Sequence, residues 1–83
     1  MSDQRIVYIL RSDRDPERHY VGSTSDVAMR LGFHNAGLHP YSAKHCPWRV
    51  LVTVEFPTEE KAVRFEKYLK SGSGRAFAKR HFG

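Results

Sequence analysis

Five side chains spread along the sequence have the chemistry needed to break a phosphodiester bond: Tyr8, Tyr20, Arg30, His34 and Glu66. An arginine guanidinium offers planar, bidentate donors to a phosphate, and a histidine imidazole can relay protons near neutral pH. A carboxylate supplies the oxygen ligands that Mg²⁺ prefers. Such chemistry requires that the fold bring these residues into one cleft.

Each of these residues, taken alone, also has an ordinary structural explanation. Tyrosines on strands usually serve packing, and an exposed Arg and His one turn apart on a helix are common. Glu66 falls within the apolar stripe of a predicted helix, where a carboxylate must be solvated at a cleft, paired with a cation or bound to a metal. An internal salt bridge therefore explains Glu66 as well as a metal does.

The two tyrosines fall on a predicted β-hairpin. Residues 6–10 and 19–22 are rich in β-branched and aromatic side chains, and a Ser-Asp-Arg-Asp-Pro turn separates them. The hairpin could bring Tyr8 and Tyr20 close together. A Gly-Ser-Thr bend at residues 22–24 follows at once and offers backbone donors that a phosphate could approach.

Arg30 and His34 lie on a helix predicted over residues 26–36, which Gly37 can terminate in the left-handed conformation. Being four residues apart, the two side chains share one face of this helix. That face lies beside the apolar stripe rather than opposite to it, so both side chains are expected to border the core.

The rest of the chain predicts one more strand and two more helices. After a loop over residues 37–47, residues 48–56 are apolar on both faces, which suits a strand covered from both sides, so we expect it to be the central strand. Residues 57–70 and 75–81 predict helices. The order ββαβαα predicts an α+β domain whose small three-stranded, mostly antiparallel sheet is flanked by helices.

Length, charge and cysteine content narrow the class of protein. With 83 residues the chain can hold one hydrophobic core, so we expect a single domain over residues 1–83. Its 14 Lys and Arg against 9 Asp and Glu give a formal charge of +5, which favours nucleic acid as a partner. The helices have narrower apolar stripes than a membrane-surface helix, so no membrane partner is expected. Cys46 as the only cysteine and a short N-terminal apolar run predict a cytoplasmic protein without an intrachain disulfide.

Several short motifs together resemble one nuclease family over nearly the whole chain. They are Ile6-Val7-Tyr8, Tyr20-Val21-Gly22, Arg30 with His34, and Glu66 within Phe-Glu-Lys-Tyr-Leu-Lys. In order and approximate spacing they resemble the GIY-YIG nuclease family, most of all its small, single-domain bacterial members. The resemblance implies an endonuclease that hydrolyses DNA phosphodiesters with a divalent metal, structure-selective or of low specificity, in DNA repair or processing.

The resemblance also implies a role for each matching residue. Tyr8 would be the general base or its direct relay, and Tyr20 would position the attacking water. Arg30 would neutralise the scissile phosphate, and His34 would hydrogen-bond the base or the nucleophile. Glu66 would hold one Mg²⁺ or Mn²⁺ ion. The asparagine that several relatives place after the metal-binding glutamate has no counterpart here, so a catalytically silent nucleic-acid-binding module on the same fold stays as the alternative.

Basic side chains interleaved with aromatic ones suit nucleic-acid binding, although a solvated basic surface explains any single one of them. The candidates for contacts with DNA are Ser23, His39, Tyr41, Lys44, His45, Arg75 and Lys79. The adjacent pair His45-Cys46 lacks the ligand spacing of a zinc site, so zinc is not expected. Sequence specificity in so small a domain would come from a protein partner or a homodimer.

Overall fold

Three strands and four helices follow one another along residues 4–83, the part of the chain that the computed structural model describes. They are β1 (Ile6–Ser12), β2 (His19–Thr24), α1 (Val27–Asn35), α2 (Pro40–Ala43), β3 (Trp48–Glu55), α3 (Glu59–Leu69) and α4 (Gly72–Phe82). The predicted α+β class and the hairpin are confirmed. The one-turn helix α2 lies in the segment predicted to be a loop.

The three strands form one antiparallel sheet with the order β2-β1-β3. The prediction that β3 is the central strand is therefore wrong. Four consecutive residues of β1, from Val7 to Leu10, are buried. By contrast, no strand within residues 4–83 pairs with the outer edge of β3, and Val50 of β3 is 37% exposed. An apolar pattern on both faces describes an edge strand under flanking helices as well as it describes a central one.

Alternate side chains of β1 belong to two separate cores on opposite faces of the sheet. Val7 and Ile9 pack with Ala62 and Leu69 of α3, with residues of α4 beside them. On the other face, Tyr8, Leu10 and Trp48 pack with residues of α1. Because Tyr8 lies on the second face, its side chain points toward the helix that carries Arg30 and His34.

Capping side chains fix where the helices begin. Asp26 accepts a hydrogen bond from the backbone of Met29 and starts α1, and Thr58 does the same for α3. Ser71 caps α4, so this helix starts at Gly72 and not at residue 75 as predicted. The close approach of α3 and α4 requires a glycine at position 74, since an added Cβ there would overlap the Tyr68 carbonyl.

The helices of residues 4–83 include none that is long and apolar enough to cross a membrane.

Candidate active site

Tyr8 is the buried centre of the site. Its side chain is 2% exposed, and its hydroxyl lies 3.1 Å from Nε2 of His34. The residue opposite Tyr8 on β2 is Gly22, and a Cβ added to Gly22 would lie only 2.6 Å from the Tyr8 hydroxyl oxygen. Glycine at this position therefore makes the space in which the phenol lies across β2.

His34 connects Tyr8 to a second buried hydroxyl. The imidazole is 1% exposed, and its Nδ1 lies 2.8 Å from Oγ of Ser42, which is fully buried. Burial, together with the neighbouring His39 and Arg30, lowers the pKa of His34 below its ordinary value. The imidazole is therefore neutral at pH 7, with one nitrogen donating and the other accepting a hydrogen bond.

Ser42 is a member of this network that the sequence analysis missed, because it placed the residue in a loop. His39, the N-cap of α2, and Trp48 of β3 hold the serine in place. The side chain of His39 accepts hydrogen bonds from the backbone of Tyr41 and Ser42, and the indole of Trp48 donates to the Ser42 carbonyl over 2.8 Å. A polar residue followed by Pro40 at the first helical position is a helix-start signal that could have revealed α2.

Replacing Ser42 with alanine should destabilise the protein by about 1–3 kcal/mol, because it leaves the buried Nδ1 of His34 without a partner. The tautomer of His34 should also change, since among the described residues Tyr8 and Ser42 are the only side chains that hydrogen-bond its ring. Urea denaturation and the ¹⁵N chemical shifts of the His34 ring measure the two effects. Ser73→Ala, at an exposed serine of α4, is the control. Unchanged stability and unchanged ring shifts in Ser42→Ala would contradict the prediction.

Tyr20 lies next to the same histidine from β2. Its half-buried ring has a centroid 4.5 Å from that of His34 and 6.3 Å from that of Tyr8. His39 and Tyr41 of the α2 region approach the other parts of the ring, at centroid distances of 5.3 Å and 6.3 Å. The structure thus brings together the two tyrosines and the histidine that the sequence singled out.

Arg30 lies one turn before His34 on α1 and is partly exposed, with its guanidinium 5.8 Å from the centre of the Phe33 ring. Its charge lowers the pKa of the Tyr8 phenol, as a neighbouring cation should. Burial and the proximity of Tyr20 and Glu66 act in the opposite direction, and the pKa of Tyr8 rises to about 12. Arg30 therefore does not by itself make Tyr8 a phenolate, and the phenol carries its proton at neutral pH.

Glu66 reaches the site from α3. Its carboxylate accepts a 2.7 Å hydrogen bond from the hydroxyl of Ser23, next to Gly22 on β2, and forms a 2.8 Å ion pair with Lys70. The salt bridge expected as one explanation of Glu66 is thus present. The Glu66 side chain is 20% exposed, so it also remains within reach of a ligand.

Glu66 offers a single carboxylate to a metal ion. Residues 4–83 contain no group of three or more His, Cys, Asp or Glu side chains placed to hold a metal. Mg²⁺ keeps several of its waters and is commonly bound by one or two carboxylates together with substrate phosphates. One partly exposed carboxylate fits that mode of binding.

The remaining candidates for DNA contacts lie in three different surroundings. His39 and His45 are half-buried and support α2 and its neighbours: His39 caps the helix, and the ring of His45 packs on Tyr41 and Trp48. Lys44 is exposed just beyond α2. The others lie at the site or next to it: Ser23 binds Glu66, and Tyr41, Arg75 and Lys79 line a groove that also contains Tyr20.

The family model for the GIY-YIG catalytic domain matches residues 4–80, so the chain belongs to the GIY-YIG family. This confirms the resemblance that the motifs indicated. Membership in this nuclease family implies a dependence on a divalent metal.

Curated relatives share the domain within longer proteins. The chain is 40% identical over 67 residues to "Structure-specific endonuclease subunit SLX1" of Scheffersomyces stipitis. The matched region covers 72% of this chain and 20% of that relative. The protein of the same name from Meyerozyma guilliermondii is 36% identical over 70 residues, 77% of this chain and 24% of the relative. The protein of that name from Talaromyces stipitatus is 41% identical over 66 residues, which cover 71% of this chain and 17% of the relative. The chain spans a quarter or less of the length of these relatives. No solved structure matches it significantly.

Proposed function

We propose that this chain is a divalent-metal-dependent endonuclease domain that hydrolyses DNA phosphodiester bonds and selects its substrates by DNA structure. The observation that carries the proposal is the buried hydrogen bond between Tyr8 and His34. The charges of Arg30 and Glu66 both act on the pKa of this phenol, so both side chains lie in its neighbourhood. Relatives named structure-specific endonuclease subunits support an endonuclease that selects its substrates by structure. The excess of basic residues supports a nucleic acid as the substrate.

Proton transfer in the proposed reaction follows the hydrogen bonds. A phenol with a pKa of about 12 is a weak acceptor as it stands, so it must lose its own proton as it takes one from water. The neutral His34 can accept that proton at Nε2, while Nδ1 donates to Ser42. The water oxygen then bonds to phosphorus as the bond from phosphorus to the leaving oxygen breaks. The leaving oxygen takes a proton from solvent water, and His34 returns its extra proton to solvent through Tyr8.

Two further residues would act on the substrate directly. Arg30 is partly exposed and would neutralise the phosphate, which gains negative charge in the transition state. Tyr20 lies against His34 and would position the attacking water. Both roles require substrate within reach of groups that border the buried network.

Glu66 would hold one Mg²⁺ or Mn²⁺ ion together with the substrate phosphate. When bound, the ion would supply Lewis-acid stabilisation to the phosphate oxygens. In the protein alone, Lys70 neutralises the carboxylate, so we expect metal binding to be weak until a phosphate is present. The hydroxyl of Ser23 fixes the orientation of the carboxylate.

Cleavage assays on branched, single-stranded and duplex DNA, with Mg²⁺ or Mn²⁺, test the proposed function. We expect EDTA to abolish cleavage and Glu66→Gln to reduce it at least about a hundredfold, since metal ligation is lost. Glu60→Gln is a matched control, because Glu60 lies on the same helix and also pairs with a cation four residues on. Cleavage by Glu66→Gln at the wild-type rate would contradict the metal assignment.

A catalytically silent nucleic-acid-binding module is the second candidate. One observation favours it: the Glu66 carboxylate is already paired with Lys70. This candidate predicts salt-sensitive DNA binding that survives Glu66→Gln, with no cleavage under any metal.

The relatives are named subunits, so a protein partner or a second copy of the chain is proposed as the source of specificity.

A further inference from the structure

A groove of about 650 Å³ extends from the candidate active site along the start of β2 to α4. It shares two residues with the site or its immediate surroundings: Tyr20, which packs on His34, and Lys70, which pairs with Glu66. A ligand bound in the groove would therefore contact Tyr20 and Lys70 at the border of the candidate active site.

The groove has an apolar floor. Its open apolar surface comes from three partly exposed side chains, Val21, Leu51 and Ala78. Ile9 and Leu69 also line it but are only 3% and 2% exposed. Tyr20 and Tyr41 add two aromatic rings with centroids 6.3 Å apart. Apolar and aromatic surface of this kind binds the faces of unstacked bases.

The rim of the groove is basic. Four cationic side chains line it, Arg18, Lys70, Arg75 and Lys79, against one carboxylate side chain, Glu17. Arg18 and Lys70 have acidic partners within the protein, Asp15 and Glu66. Arg75 and Lys79 are exposed and form no ion pair within residues 4–83, so they are available for phosphates.

An apolar floor with a basic rim distinguishes an unpaired strand from a duplex. A duplex encloses its bases in the stack and presents mainly phosphates and sugars, which gain nothing from an apolar floor. An unpaired strand offers base faces and phosphates together. The volume lies within the roughly 300–1,000 Å³ range of pockets that enclose small ligands, which is enough for a short stretch of nucleotides.

We propose that this groove receives an unpaired DNA strand adjoining the scissile phosphate, with bases against the apolar floor and Tyr41 and phosphates on Arg75 and Lys79. The inference rests on the proposed function and deepens it, because it identifies the part of the domain that recognises DNA structure.

Charge reversal at two neighbouring positions of α4 tests the proposal. Lys79 lines the groove and Arg80 does not, although both are exposed cations. Fluorescence anisotropy in EDTA measures binding of an oligothymidine and of a blunt duplex of equal length to the wild type, Lys79→Glu and Arg80→Glu. We expect Lys79→Glu to weaken binding of the oligothymidine about tenfold. The slope of its log binding constant against log salt concentration should become shallower by at least about 0.7. Arg80→Glu should change the affinity for the oligothymidine less than about twofold, and the two variants should bind the duplex alike.

Equal effects of the two substitutions on the oligothymidine would overturn the proposal. So would tighter binding of an oligoglutamate peptide than of an oligothymidine of equal charge, since the groove would then suit an acidic protein segment. If the wild type cleaves DNA but Lys79→Glu and Arg80→Glu bind the oligothymidine equally well, the groove proposal is wrong and the endonuclease proposal stands. If the two variants differ in oligothymidine binding but the wild type cleaves no DNA, the groove proposal stands and the endonuclease proposal is wrong.

Discussion

Tyr8→Phe should reduce DNA cleavage by about 10²–10⁴-fold while the protein still folds and binds DNA. A stability loss of about 1–3 kcal/mol is expected, because the buried Nε2 of His34 loses its hydrogen-bond partner. The substitution removes only the hydroxyl that lies 3.1 Å from His34 Nε2, and the ring still fills the space over Gly22. The loss is the contribution expected of a positioned acid–base group. Cleavage kinetics under single-turnover conditions, with thermal unfolding and anisotropy alongside, measure it.

Tyr68→Phe is the matched control, because Tyr68 is 41% exposed on α3 and belongs to the opposite face of the sheet. It should cleave at the wild-type rate. A Tyr8→Phe variant within about threefold of the wild type would exclude the phenol from the proton path, since acid–base groups contribute far more than this.

The pH dependence of the wild type adds a second check on this proton path. The pKa of His34 is lowered, so the imidazole stays neutral, and able to accept a proton, at pH values somewhat below the ordinary histidine pKa. We therefore expect cleavage to persist at neutral pH and to fall only as the pH drops through this lowered pKa. A rate that increases on acidification would contradict the assignment of His34 as the acceptor.

Gly22→Ala should reduce cleavage by about 10²-fold or more, even though the residue has no side chain to take part in chemistry. The new Cβ would lie 2.6 Å from the Tyr8 hydroxyl oxygen and 2.8 Å from its Cζ. Tyr8 is 2% exposed and cannot move aside without disturbing the core. The hydroxyl would therefore leave His34, and overpacking should cost about 1–3 kcal/mol of stability.

Gly32→Ala provides the control for this second prediction. Gly32 lies on α1, and a Cβ added there meets nothing within 4 Å. Alanine inside an exposed helix should stabilise the protein by about 0.5–1 kcal/mol and leave cleavage unchanged. The double variant Gly22→Ala with Tyr8→Phe should lose little more activity than either change alone, because both act on the same hydroxyl. Additive losses, or full activity of Gly22→Ala, would contradict the steric explanation.

Local chemistry in the sequence was sufficient for much of the fold. Asp26, Gly37 and Thr58 carry helix start and stop signals that depend only on nearby backbone groups, and the structure places them at those ends. Segments rich in β-branched and aromatic side chains on either side of a turn predicted the hairpin. Residue type and order also singled out Tyr8, Tyr20 and His34 before any contact between them was known.

Only the tertiary structure decided which groups meet. Strand order depends on pairing between distant segments, so the apolar pattern of β3 could not show that β1 is central. The same holds for Ser42 at Nδ1 of His34, for Lys70 at Glu66 and for the groove beside Tyr20. The sequence by itself determined the elements, the basic charge and the set of chemically competent residues, because these depend on residue type and local spacing. The structure decided the buried partners, the raised pKa of Tyr8 and the space that Gly22 leaves for it, because these arise from contacts between residues far apart in the chain.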